Sequence, residues 1–359
     1  MRIAMLTHIK HPIRQPFAGG LESFTYDITL GLRRRGHDVT LFASSGSAPE
    51  LHHVAILDDE NYAASGIRGA REAFFKEYLD EHVAYMTCMQ RLDNQNFDVV
   101  FNNSLHYVPL TMASLIATPM LTVLHTPPFF ELVNAISGVH RKSRLRFATV
   151  SNANARSWGK WVPHCDVVAN GIDLSVWRPG GSSTYEHAIW FGRLVPDKGA
   201  HLAIDAARLA GLSIEIVGQA TDEAYFQAEI APRLNDRARY IGHLARADLI
   251  ERLQRASVCF VTPCWDEPFG LVVAESLACG TPVAAFARGA IPELLTADSG
   301  FTAPPGDVAG LAKAALAAMC LSRADCRLIA ESRWRQAAMF ESYERLLSAT
   351  MQQSAVVDA

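Results

Sequence analysis

The stretch from Pro263 to Val283 constrains the fold more than any other part of the chain. An apolar run, Val258 to Val261, leads into it and reads as a buried strand. Pro263 and Pro268 then interrupt the chain and Gly270 frees the backbone. Good helix formers follow from Leu271 to Ala278, closed by Gly280 and Pro282. Strand, loop and helix in immediate succession make the βα junction of a parallel sheet. The first amide groups of such a helix have no acceptor within it and point where an anionic oxygen can sit. Glu267 lies in the loop and Glu275 about a turn into the helix, with seven residues between them. That spacing is too wide for a close acid/base pair. The two carboxylates read as acceptors aimed at hydroxyls on either side of a bound diphosphate, although an ordinary βα junction fits the same residues.

The segment Glu267-Pro-Phe-Gly-Leu-Val-Val-Ala-Glu275, with its Cys-Gly-Thr-Pro-Val exit, resembles the E-x7-E motif of retaining glycosyltransferases of family 4, which have the GT-B fold. A second element supports this. Gly192-Arg193-Leu-Val-Pro-Asp-Lys198-Gly199 follows a strand and opens a helix, and it is similar to the family's G-R-x-x-x-x-K-G element. Two cations on such a loop can both reach a pyrophosphate and stabilise the charge that develops as a nucleoside diphosphate departs. The resemblance covers most of the chain and is strongest from Asn170 to Glu293.

It implies roles for further residues. Glu267 would bind donor sugar hydroxyls, helped by the backbone of Phe269, Gly270 and Leu271. Glu275 would bind the ribose, and Arg193 and Lys198 the pyrophosphate. Gly19 and Gly20, before a helix in the first half, would close over the diphosphate. His125, at the end of an apolar strand, would stand beside the donor sugar. Gly218 and Gly242 would border the base through backbone atoms, which leaves base identity open. Ser151 is explained by a helix N-cap, Asn170 to Asp173 by a linker turn, and Gly289 and Glu293 by support of the phosphate loop. His8, His11 and His106 lie near strand ends but match nothing residue by residue, and a structural role is preferred for them.

Two βα rhythms are legible. Strands are expected at Arg2 to Thr7, Val39 to Phe42, Asp98 to Phe101, Met120 to Leu124 and Phe147 to Val150. Helices are expected over Leu21 to Arg35 and Ile67 to Leu92, the second with a stripe of Ala70, Phe74, Phe75, Tyr78, Leu79, His82, Tyr85, Met86 and Met89 at helical spacing that reads as core. After a boundary near Asn170-Gly171, strands are expected at Ala188 to Phe191, Ser213 to Val217, Tyr240-Ile241, Val258 to Val261 and Val283 to Phe286. They alternate with helices at Ala200 to Ala210, Asp222 to Arg233, Arg246 to Arg255 and Leu271 to Ala278. The rhythm gives an α/β class with two Rossmann-like doubly wound parallel sheets, and the resemblance implies that these form a GT-B fold facing a cleft. The expected division is 1–168, 169–333 and 334–359, and the resemblance implies that the first is the acceptor side, the second binds the nucleotide-sugar donor and the last is a helix crossing back onto the first domain. In such sheets ligands bind beyond the carboxyl ends of the strands.

Composition narrows the function classes. A net charge of −4 gives no global electrostatic case for nucleic acid. The basic run Arg141 to Arg146 reads as a solvated face, with a phosphorylated or membrane-surface acceptor as the alternative. Seven cysteines with no Cys-x-x-Cys argue for free thiols in a reducing compartment, and so for a cytoplasmic protein, at most peripheral at the membrane's cytoplasmic face. The chain begins directly in a strand, with too short an apolar region for a signal peptide. The uncharged stretch Tyr107 to Leu124 contains Pro109 and Pro119, and reads as a helix and a buried strand rather than a membrane span. There is no Asp-x-Asp, so no metal site and no cofactor is expected. The resemblance implies a reaction that moves a hexosyl group with retention, from a UDP- or GDP-linked sugar to a hydroxyl of a glycan, lipid-linked sugar or small metabolite. A non-catalytic sugar-nucleotide binding protein and a nucleotide-sugar epimerase on the same fold are the alternatives.

Overall fold

A computed structural model of the chain describes residues 1–59, 62, 70–92, 95–138, 144–181 and 187–357. Among them the chain forms two compact units. The first comprises Met1–Val150, Ala155–Val168 and Phe340–Ala359, the second Ser151–Asn154 and Ala169–Met339.

The first unit is built on β1 (Arg2–Thr7), α1 (Gly20–Arg34), β2 (Asp38–Ser44), β3 (Val54–Leu57), α2 (Ala70–Leu92), β4 (Val99–Asn103), α3 (Tyr107–Met112), β5 (Met120–Leu124), α4 (Phe130–Gly138), β6 (Leu145–Thr149), α5 (Asn152–Trp158, of which Asn152 to Asn154 count with the second unit) and β7 (Asp166–Val167). The strands form one sheet in the order β3-β2-β1-β4-β5-β6-β7, and every pair is parallel. β4 and β5 are buried at every position, which is why they read as unbroken apolar or small-polar runs instead of alternating ones. The sheet reverses direction of growth between β1 and β4.

The second unit repeats the plan with β8 (His187–Phe191), α6 (Ala200–Ala210), β9 (Ser213–Val217), β10 (Ala238–Gly242), α7 (Arg246–Arg255), β11 (Val258–Val261), α8 (Leu271–Ala278), β12 (Val283–Phe286), β13 (Gly300–Ala303), α9 (Val308–Ala318) and α10 (Arg323–Arg333). Its parallel sheet has the order β10-β9-β8-β11-β12-β13. The switch point lies between β8 and β11. A core of Trp190, Ile204, Ile216, Phe260, Phe286 and Leu311 joins its sheet to α6 and α9.

The last helix, α11 (Gln336–Val357), passes from the second unit to the first at Phe340. Phe340, Tyr343 and Leu347 are buried. Gly31 of α1 admits the Phe340 ring, whose nearest atom lies 2.2 Å from where a Cβ would stand.

Three expectations need correction. The stripe on α2 is core only in part: Tyr85 and Met89 are buried, but Phe75, Tyr78 and Leu79 are 51%, 40% and 56% exposed. Helical spacing marks a face without saying what covers it. The stripe's Ala70 and Phe74 side chains and the start of the expected helix, 67–69, lie outside the described residues. The helix expected over Asp222 to Arg233 is instead a short α turn, a π turn at Phe226–Ile230 and a 3-10 turn at Ala231–Arg233. Pro232 lacks the N–H that would continue an α ladder. The edge strands β3 and β13 were not expected, each having only four residues. Of the basic run, 141–143 lie outside the described residues, while Arg144 bonds the Ala117 carbonyl and Arg146 pairs with Asp166 at 2.8 Å.

Candidate functional site

In the second unit, topology brings the two signature loops together. β8 and β11 are neighbours, so the loops leaving their carboxyl ends start side by side. The Cys264 amide donates to the Asp197 carbonyl at 2.7 Å. The Thr262 hydroxyl lies 3.0 and 2.9 Å from the Lys198 and Gly199 carbonyls, and accepts from the Trp190 indole N–H at 3.0 Å. Tied in this way, Lys198 meets Glu267: the ammonium lies 2.7 Å from Oε2, with both side chains partly buried. The Trp265 indole N–H donates to the same oxygen at 3.0 Å, and the Lys198 ammonium stands 4.9 Å from the centre of the Trp265 ring.

Glycine makes this packing feasible at two points. Gly289 has φ +59°, and a Cβ there would stand 2.3 Å from both the amide nitrogen and the carbonyl oxygen of Glu267. The next amide, Ala290, donates to that carbonyl at 2.8 Å. Gly218, at the end of β9, has φ +147°, and a Cβ would stand 1.7 Å from the Gly192 carbonyl oxygen. Its amide donates to the Gly242 carbonyl, so the ends of β8, β9 and β10 are held against one another by backbone alone.

The remaining expected residues of this unit fall around the same strand ends. Arg193 is exposed, and its side chain makes no hydrogen bond or ion pair to another described residue. Phe269 is buried, edge-on to Trp334 at 6.4 Å. Gly270, in the left-handed region, precedes Leu271 at the start of α8 with no side chain capping the helix. Glu275 lies in the second turn of α8 and is partly buried. Ser151 accepts from the Asn154 amide at 3.0 Å, the N-cap read from the sequence, and its hydroxyl donates to the Pro268 carbonyl at 2.6 Å. Glu293 accepts from the Asn152 amide at 3.1 Å.

In the first unit, His125 follows β5 and Asn103 ends β4. Their side chains meet at 2.8 Å, Nε2 to Oδ1. Burial pushes the His125 imidazole down to about 3, so the ring is neutral at physiological pH. Phe24 of α1 lies edge-on to it at 4.8 Å. Gly19 and Gly20 open α1 with extended backbone at Gly19 and no side-chain cap. In the first turn sits Glu22, a buried carboxylate with His8 Nδ1 3.4 Å from Oε1. Burial alone would raise the Glu22 carboxyl, but His8 brings it below the usual range. His106 is structural, as read: its Nδ1 accepts from the Val108 amide, and its ring stacks between Tyr85 and Tyr107.

Sequence reasoning missed Trp265, Asn103 and Glu22. The signals were a tryptophan two residues before the motif glutamate, a strand ending in Asn102-Asn103, and a carboxylate directly after Gly-Gly-Leu. Among the described residues no group of three or more His, Cys, Asp or Glu could hold a metal, and no helix is long and apolar enough to cross a membrane.

The model of the Glycosyltransferase Family 4 matches residues 18–176, and that of Glycosyl transferases group 1 matches residues 178–334. The chain belongs to the group 1, family 4 glycosyltransferases. This glycosyltransferase is 26% identical to the glycogen synthase of Mycobacterium tuberculosis, over 88% of its own length and 85% of the relative's. It is 28% identical to the D-inositol 3-phosphate glycosyltransferase of Mycolicibacterium smegmatis, over 97% and 92%. Among solved structures, Anabaena HepE in complex with UDP and glucose superposes with a TM-score of 0.75 at 21% identity, covering 97% of this chain and 99% of that one. A glycosyltransferase from Rickettsia africae gives 0.76 at 14% identity, over 97% and 98%. The fold shared with these structures is GT-B.

Proposed function

We propose that this glycosyltransferase moves a hexosyl group from a nucleoside-diphosphate sugar to an acceptor hydroxyl with retention of configuration. The observation that carries the reading is the convergence of Lys198 and Glu267, 69 residues apart in sequence, at the switch point of the second sheet. A cation for the diphosphate and a carboxylate for sugar hydroxyls lie within one hydrogen bond of each other, which suits a sugar bonded directly to that diphosphate. Arg193, free to turn, is the second cation. Glu275 takes the ribose, while the backbone of Phe269, Gly270 and Leu271 binds the sugar and phosphate oxygens. Gly218 borders the base. For Gly19 and Gly20 the family resemblance gives the diphosphate as the expected partner and for His125 the donor sugar, and the neutral His125 ring is suited to hydrogen bonding.

The charge balance assigned here rests on protein cations and helix amides, with no metal or cofactor. The leaving phosphate takes the acceptor proton on the face it departs from, so no protein nucleophile is invoked. UDP is the donor diphosphate to test first, because Anabaena HepE was crystallised with it. The acceptor class is a hydroxyl on a glycan, a lipid-linked sugar or a small metabolite, encountered in the cytoplasm or at its membrane face.

The test is a melting-temperature screen against UDP, GDP, ADP and their sugar conjugates, with and without EDTA, followed by turnover assays. A diphosphate that binds the folded state raises the melting temperature by mass action. One responding diphosphate, insensitive to EDTA, together with a product of retained configuration is the expected result. An inverted product would sink the front-face route. Binding without transfer or donor hydrolysis would favour a sugar-nucleotide binding protein.

A further inference from the structure

Trp265 touches both groups on which the proposed function rests, and nothing in that reading uses it. Its indole N–H and the Lys198 ammonium converge on a single oxygen, Oε2 of Glu267, at 3.0 and 2.7 Å. The other oxygen, Oε1, has no protein partner among the described residues. One oxygen is pinned and the other is presented.

The pin has two parts of different character. Lys198 carries a mobile charge, and a diphosphate is a stronger attractor for it than one carboxylate. The ammonium also rests near the Trp265 ring at 4.9 Å, a position it can leave by turning its stem. The indole N–H is held by a planar side chain on the same loop as Glu267. The backbone of that loop is fixed by the Cys264–Asp197 and Ala290–Glu267 bonds. When Lys198 turns away, the indole is the one remaining donor to Oε2 among the described residues.

We infer that Trp265 is a positioning residue. Its N–H keeps the Glu267 carboxylate in place while Lys198 transfers from Glu267 to the donor diphosphate, so that Oε1 meets the sugar in a fixed orientation. This deepens the proposed function and depends on the donor site it assigns. The binding step makes and breaks only hydrogen bonds and one ion pair.

The test uses the full chain, with UDP, GDP and ADP as probes and the matching nucleotide sugars for turnover. Trp265→Phe keeps a ring beside Lys198 and removes the N–H. Its diphosphate Kd is expected within threefold of the parent, while kcat for transfer or donor hydrolysis falls at least tenfold. In a Glu267→Gln background the same change is expected to cost less than twofold, because its effect passes through Glu267. Diphosphate binding should change tryptophan emission in the parent more than in Trp265→Phe, as the ammonium leaves the ring. Unchanged kcat in Trp265→Phe overturns the inference, as does a full tenfold cost in the Glu267→Gln background or an equal emission change in both proteins. If no diphosphate shifts the melting temperature of the parent, the donor-site reading itself falls, and that is seen before any variant is made.

Discussion

In the second unit the eight residues from Gly192 to Gly199 leave β8 and bond across the switch point to the loop after β11. In the first unit the twelve residues from His8 to Gly19 leave β1 and lean the other way. Their ties go to the loop after β2: the Ile13 amide donates to the Ser47 hydroxyl at 3.0 Å, and the Ala48 amide to the Ile13 carbonyl at 3.0 Å. Sheets of like order therefore treat their switch points differently. One closes over it with backbone and a pinned carboxylate. The other leaves the ends of β4 and β5 to side chains, Asn103, His125 and Phe24. The proposed diphosphate site rests on the first of these arrangements.

The difference can be broken most severely at Gly218. Alanine there combines a φ of +147° with a Cβ 1.7 Å from a carbonyl oxygen. A loss of about 4 kcal/mol is expected in chemical unfolding, whereas alanine at Gly19, whose backbone is extended, should cost less than about 1 kcal/mol. Equal losses would remove the contrast between a closed and an open strand end. Next comes Lys198→Met. It should lower kcat/KM about 100-fold, or about 2.7 kcal/mol, with the melting temperature within about 3 °C because the group is partly exposed. Near-parental turnover would detach the pinned carboxylate from the chemistry.

His125 sharpens the comparison on the other side. Its folded-state pKa, about 3, lies below the unfolded value, so the unfolded chain binds the extra proton between those limits. The stability it contributes is complete above the unfolded value and is lost as pH falls toward about 3. His125→Gln should lose about 1–2 kcal/mol less than the parent between pH 7 and pH 5. Parallel pH curves would mean that the imidazole is not kept neutral by burial. The smallest effect belongs to Glu344 of α11, whose carboxyl is held below its usual range by Arg35 at 2.7 Å and by His37 at 2.9 Å. Glu344→Gln should cost less than about 1 kcal/mol at pH 7. Because the folded pKa is depressed, that cost should shrink as pH falls through the carboxylate range.

The second unit was largely legible in the sequence. Ala200–Ala210, Ser213–Val217, Arg246–Arg255, Val258–Val261 and Leu271–Ala278 have the expected bounds. Three of them are bounded by glycine, with Gly199 and Gly211 around the first, Gly218 after the second and Gly270 before the last, which a sequence displays directly. The Lys198–Glu267 contact was not legible, since it follows from β8 lying beside β11, a matter of strand order. The approach of Trp265 to Lys198 escaped for the same reason, since it spans 67 residues. In the first unit the exposed part of the α2 stripe and the short edge strand β3 carry no distinctive local pattern. Burial there depends on what lies across the sheet.

The docking of Phe340 into the hollow at Gly31 bears on the order in which the chain can mature during synthesis. The second unit needs nothing beyond Met339, whereas the first includes residues from Phe340 onward. On a ribosome the amino-terminal sheet emerges first but lacks the aromatic side chains that fill its flank until the other sheet has been made. The half translated first is therefore the last to receive all its residues, and a chain ended before residue 340 holds every residue of the second unit but not of the first.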